Sequence, residues 1–109
     1  NGWTPKLLNA LSTSVTSIKT SAGQLAMLQC YNPNSSPVYA QVFNVASGSV
    51  TLGSTTPTIS IPISATATGG WALSNPGLNF STAISIAITT TATGSTAPST
   101  AADCNAAYN

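Results

Sequence analysis

The chain has 109 residues, a formal net charge of +1, 42% hydrophobic residues and 3% charged ones, the charged set being Lys6, Lys19 and Asp103. Without His, Glu or Arg, it lacks the residues for paired-carboxylate acid/base work, a Ser-His-Asp triad, histidine-bound metal or an arginine phosphate clamp, so no catalytic, cofactor or metal site is expected. Two isolated lysines make no basic footprint for phosphates, and no apolar run approaches the roughly 20 residues that span a bilayer, so neither nucleic acid nor membrane is an expected partner.

Residues 1–13 differ from the rest. Pro5 can occupy the first turn of a short helix through Leu7, Leu8 and Leu11, with Thr4 as its cap. The segment therefore reads as an N-terminal arm or short helix ahead of a single β-sandwich domain over residues 14–109. Trp3, Leu7, Leu8 and Leu11 then dock either on the body or on a neighbouring subunit. The start, Asn1-Gly2-Trp3, has neither an initiator Met nor the apolar stretch of a signal peptide, which suggests a processed or trimmed chain and leaves secretion open.

From Ser14 the period is two. Val15 to Ile18 opens a strand, and Gly23 begins another in which Leu25, Met27, Gln29 and Tyr31 face one way and Ala26, Leu28 and Cys30 the other. Asn32 to Pro37 is a turn by composition, after which Val38 to Val45 pairs back as a long hairpin. Ile59, Ile61 and Ile63 alternate with Ser60, Pro62 and Ser64, and Pro62, having no N–H for a ladder, argues for an edge strand. Gly69-Gly70 precedes Trp71-Ala72-Leu73, Asn75-Pro76-Gly77 is a turn, and Ile84, Ile86 and Ile88 form the clearest alternation. Residues 89–100 read as a long polar connection to a last strand with Cys104, Ala106 and Tyr108 on one face and Asp103 on the other. Seven or eight strands with Gly/Pro turns predict an all-β antiparallel sandwich, jelly-roll or immunoglobulin-like.

Cys30 and Cys104 lie 74 positions apart. If their strands meet, a bridge would stabilise by about 4 kcal/mol on the loop-entropy model. The alternative is a pair of buried, reduced thiols suited to a reducing cytoplasm. Trp71 and Tyr39, with Trp3, Tyr31 and Tyr108, could form a sugar-stacking platform for a cell-surface glycan, while Trp71 is better explained as a plug at one end of the sandwich or as packing at a subunit contact. Asn34-Ser35-Ser36 and Asn79-Phe80-Ser81 match the N-glycosylation triplet, which arises readily by chance in a chain with 16 Ser and 17 Thr.

Three stretches resemble a family of small structural proteins of tailed bacteriophages: residues 17–25 (SIKTSAGQL), 50–63 (VTLGSTTPTISIPI) and 77–98 (GLNFSTAISIAITTTATGSTAP). The family shows a strand near "IKSGAG-L", a "VTLGTTTP" loop and a "GLAFSTGLSIAATTTATGSTAP" hairpin. The third stretch is the most specific, and the similarity covers residues 14–109. It implies a compact β-sandwich in a virion, as a capsid decoration (cement) protein, a head-fibre component or a module of a tail fibre. Cys30, Cys104 and residues 1–12 lie outside the pattern.

Composition and resemblance meet in self-association. Ordinary domains carry about 25% charged residues and stay dispersed by repulsion, whereas a hydroxyl-rich surface hydrates without repelling a neighbouring copy. A cyclic homo-oligomer, a trimer by preference, is expected, with the major capsid protein as a further partner. The implied location is the virion, assembled in the host cytoplasm. A secreted or cell-surface adhesin, or a subunit of a shell or extracellular filament, is the alternative.

Overall fold

The computed structural model describes residues 2–72 and 77–109. Among the described residues, period-two patterning becomes nine strands: β1 (Thr4–Leu11), β2 (Thr16–Lys19), β3 (Gly23–Asn32), β4 (Val38–Phe43), β5 (Ile59–Ile63), β6 (Ala67–Ala72), β7 (Leu78–Phe80), β8 (Ile84–Thr89) and β9 (Ala102–Tyr108), with one 3-10 turn at Ser47–Ser49. They form two antiparallel sheets. The first runs β1-β9-β3-β6, with β7 also paired to β3, and the second runs β2-β8-β4-β5. β1 pairs β9, β2 pairs β8, β3 pairs β6 and β7, and β4 pairs β5. This is one long antiparallel ribbon rolled over on itself, the jelly-roll arrangement. Counting β6 and β7 as one interrupted strand gives the eight of that fold. The turn at Asn75-Pro76 lies outside the described residues.

Three expectations are corrected. Residues 4–11 are a strand of the body, neither arm nor helix, pairing with β9 from Thr4↔Tyr108 to Leu11↔Ala102. The helix-like spacing of Leu8 and Leu11 comes from a bulge: Ala10 sits at φ 55° and its N–H donates to Asp103 Oδ1 at 2.8 Å. Two residues on β1, Asn9 and Ala10, thereby oppose one on β9, Asp103, and both leucines turn inward. The same device explains Leu25, which is buried with Leu28 and not outward with Met27, because the β3–β9 register shifts between Leu25 and Met27. Finally, β3 and β4 do not form a hairpin. They belong to opposite sheets, and residues 33–37 carry the chain from one sheet to the other. β7 and β8 likewise lie in opposite sheets, so the family-like stretch 77–98 is not a hairpin here.

The core between the sheets is built from Leu8, Leu11, Ile18, Leu25, Leu28, Val38, Ala40, Val42, Ile63, Phe80, Ile84, Ile86 and Ile88, with Cys30 and Cys104 among them. Cys30 and Cys104 are register partners on neighbouring strands and are joined by a disulfide. The bridge closes the ring that the loop-entropy argument values at about 4 kcal/mol. Pro62 is on edge strand β5 as its missing donor requires.

Candidate functional site

The alternation that fills the core also decides what each sheet shows to the outside. On the second sheet the outward positions are Tyr39, Gln41 and Phe43 of β4 and Ser85, Ala87 and Thr89 of β8. The Ser, Ala and Thr of β8 alternate with its isoleucines, yet the whole strand is buried. Its cover is the chain's own loops. Gln41, fully buried, donates through Nε2 to Thr89 Oγ1 at 2.6 Å and to the Gly94 carbonyl at 3.1 Å. Ser60 Oγ donates to the Ala92 carbonyl at 2.7 Å, and Ser85 Oγ to that of Val45 at 2.8 Å. Asn44 Oδ1 accepts the Thr82 N–H at 2.8 Å. Gly53, at φ +86°, brings the 50–58 loop against Ser95. Residues 50–63 and 84–98, which carry most of the phage resemblance, are therefore packed on one another.

A second polar cluster closes one end. Asn32 is buried and donates through Nδ2 to the carbonyls of Ser36, Ile63 and Ser64 at 2.9, 3.3 and 3.1 Å. Its Oδ1 accepts from Asn34 N and Nδ2 at 2.9 and 2.8 Å. Asn34 in turn donates to the Thr100 carbonyl at 2.9 Å and accepts its N–H at 2.7 Å. The amide nitrogen of Asn34 is thus committed inside the fold, and the Asn34-Ser35-Ser36 triplet is not an available glycan acceptor. Nothing in the spacing of the sequence singled out Asn32 or Gln41. Their signal is a polar side chain in phase with apolar neighbours.

Among the described residues, none covers the outer face of the first sheet. It carries Leu7 of β1, Asp103, Asn105 and Ala107 of β9, Met27, Gln29 and Tyr31 of β3, and Thr68, Gly70 and Ala72 of β6. Leu7 is 68% exposed and Tyr31 44%, the two exposed large hydrophobic residues among those described. Along one cross-strand row lie Leu7, Asn105, Gln29 and Gly70. At Gly70, φ is +144° and a Cβ would run into the Leu28 carbonyl oxygen, so glycine is required there. The absent side chain leaves a dimple of about 330 Å³ between β3 and β6, lined by Met27, Gln29, Thr68 and Ala72 among others.

The candidate contact residues separate accordingly. Leu8 and Leu11 are buried in the core at 3% and 2% exposure and are not available to a neighbour. Leu7 is outside, and Trp3 is half-buried. The candidate sugar platform does not assemble. Tyr39 lies on the outer side of the second sheet, while Trp71 packs against the core from the first. Trp71 lines a groove of about 420 Å³ with Ile59, Ser60, Ile61, Pro62 and Leu78. Its one hydroxyl, Ser60, is already donated to Ala92, so this lining is short of the polar partners a sugar requires.

Together these features define a disulfide-bridged jelly-roll domain with one self-covered and one open face. Comparison with protein-family models, with curated proteins and with solved structures found no match.

Proposed function

We propose that the chain is a non-enzymatic structural protein of a virion, a capsid decoration (cement) or head-fibre protein that works through contacts between copies and with the particle's major capsid protein. The observation that carries this reading is the packing of residues 50–63 against 84–98 on the second sheet. Parts of two of the three stretches that resemble the phage family thus touch in the fold, Ser60 against Ala92 and Gly53 against Ser95. The jelly roll supports it by analogy, since viral capsid domains use that architecture, and so does a surface with three charges in 109 residues. The test is mass spectrometry and electron cryo-microscopy of particles purified from the source. The expected result is the chain at stoichiometric abundance, with its sandwich fitted at symmetric positions on the particle. Purified particles without the chain overturn the reading.

The disulfide favours one second reading. Such bridges persist in oxidising surroundings, as for a secreted subunit of a shell or filament. Polymerisation of the pure protein without any particle identifies that case.

A further inference from the structure

On the bare face of the first sheet, a protrusion and a depression stand at opposite ends of one row. Leu7 projects from β1, and the Gly70 dimple lies between β3 and β6, three strand spacings or about 14 Å away. We infer that this face is a two-fold contact between two copies of the chain, in which Leu7 of each copy enters the Gly70 dimple of the other. The inference rests on the reading above in one respect, namely that the chain works by touching its own copies.

The occupant follows from the pairing registers. Set a two-fold axis in the interface plane, parallel to the strands and midway between β9 and β3. The axis then places β1 of one copy over β6 of the other, and β9 over β3. In the row Leu7-Asn105-Gln29-Gly70, Leu7 meets the dimple and Asn105 meets Gln29, amide to amide. In the next row Asp103 is the partner of Tyr31, so the axis sets each Asp103 opposite Tyr31 of the other copy. The phenol can donate to the carboxylate, and no carboxylate faces its twin. On the other side Ala107 is the partner of Met27, so a small side chain meets a long one. Asp103 is the one charged side chain on this face, and it already accepts the Ala10 N–H at 2.8 Å. A partner of ordinary composition would set unpaired charges against a face that cannot answer them, whereas a second copy sets none. Such an isologous contact is self-complementary, as a closed two-fold pair demands.

The size of the face sets the strength. Four strands about 4.8 Å apart and about six residues long offer roughly 400 Å² per copy, near half of the ~800 Å² per partner in a standard interface. The contact is a weak one, with a Kd on the order of 0.1 mM, which repetition on a particle would multiply.

Sedimentation equilibrium on the intact oxidised chain between 10 µM and 1 mM tests this. The expected result is a monomer–dimer equilibrium weakened at least ten-fold by Leu7→Asp and several-fold by Tyr31→Phe. Thr93→Lys, on the loop over the other sheet, leaves it unchanged. Backbone amide shifts of the unsubstituted chain on dilution should fall on β1, β9, β3 and β6, which keeps the test independent of how the variants fold. A single-chain mass up to 1 mM, a trimer mass, a dimer indifferent to both substitutions, or dilution shifts on the second sheet overturns the contact. A chain that dimerises as described but is absent from particles overturns the virion reading and leaves this contact standing.

Discussion

The two sheets of this sandwich have the same architecture and opposite surroundings. The second sheet hides its outer face beneath the chain's own 44–58 and 90–100 connections, fastened by Gln41, Ser60, Ser85 and Asn44. The first sheet has no such cover and is held across its central strands by the Cys30–Cys104 bridge. The comparison teaches that hydroxyl-rich sequence plays two parts in one chain. On the second sheet Ser60, Ser85 and Thr89 are internal fasteners, each donating its hydroxyl to a loop carbonyl. On the first sheet the amides and hydroxyls belong to a surface open to another molecule. A sheet closed by its own loops cannot be the place where a partner lies flat, and so the open face is where self-association is to be sought.

The contrast can be broken from either side. The largest effect is expected from removing the covalent tie of the first sheet. Replacing Cys30 and Cys104 together by Ala should lower unfolding free energy by about 4 kcal/mol in chemical denaturation, and an equal loss should follow reduction of the native chain under unfolding conditions. A loss below about 1 kcal/mol would show that the bridge is incidental to the first sheet. Next comes the end cluster. Asn32→Ala leaves the Ser36, Ile63 and Ser64 carbonyls and the Asn34 amide without their partner, a cost of about 3 kcal/mol by the penalty for buried unpaired groups. Denaturation midpoints at unchanged slope measure it.

Smaller effects sharpen the contrast. Gln41→Ala should cost about 1–2 kcal/mol and should release the 90–100 connection, seen as faster proteolytic nicking within it. Because Gln41 Oε1 is buried without a partner among the described residues, Gln41→Met should recover part of the stability while leaving the loop as sensitive to protease as in the Ala variant. The smallest effect is the most telling. Gln29→Lys, on the bare face, should change stability by less than about 0.5 kcal/mol. Ala87→Lys on the covered face has no water to reach and should be strongly destabilising in the same assay. If the two lysines cost the same, the difference between the faces is not real.

Much of the fold was legible because half-buried strands announce themselves. The Ile59, Ile61, Ile63 and Ile84, Ile86, Ile88 alternations, the edge position of Pro62 and the last strand with Cys104 and Ala106 inward all stand as expected. Two of the errors, over residues 4–11 and over Leu25, share one cause. A β-bulge shifts an alternating pattern by one, and two inward residues then stand three apart, as Leu8 and Leu11 do on β1 and Leu25 and Leu28 do on β3. Three apart is also a helical spacing, which is why residues 4–11 read as a helix. Sheet assignment was equally hidden. Composition marks residues 32–37 as a turn, but whether a turn joins neighbours or crosses between sheets depends on contacts distant in sequence. The open face was not legible for the same reason. Leu7, Asn105, Gln29 and Gly70 fall in one row only after β9 has been placed between β1 and β3.

That placement governs how the molecule is made. β9, the final strand of the ribbon, is inserted between β1 and β3, which come near the beginning. Until residues 102–108 have been synthesised, β1 has no partner strand at all, β3 lacks one of its neighbours, and Cys30 has nothing to oxidise with. Pairing β1 with β9, the first strand of this fold with its last, closes the longest strand-to-strand loop within it, a slow kind of folding step. The order of the first sheet is therefore complete only once β9 is in place, which is also what sets Cys104 opposite Cys30. A chain that stops short of Ala102 is left with two open strand edges and a free thiol, in a form prone to pair with the wrong molecule.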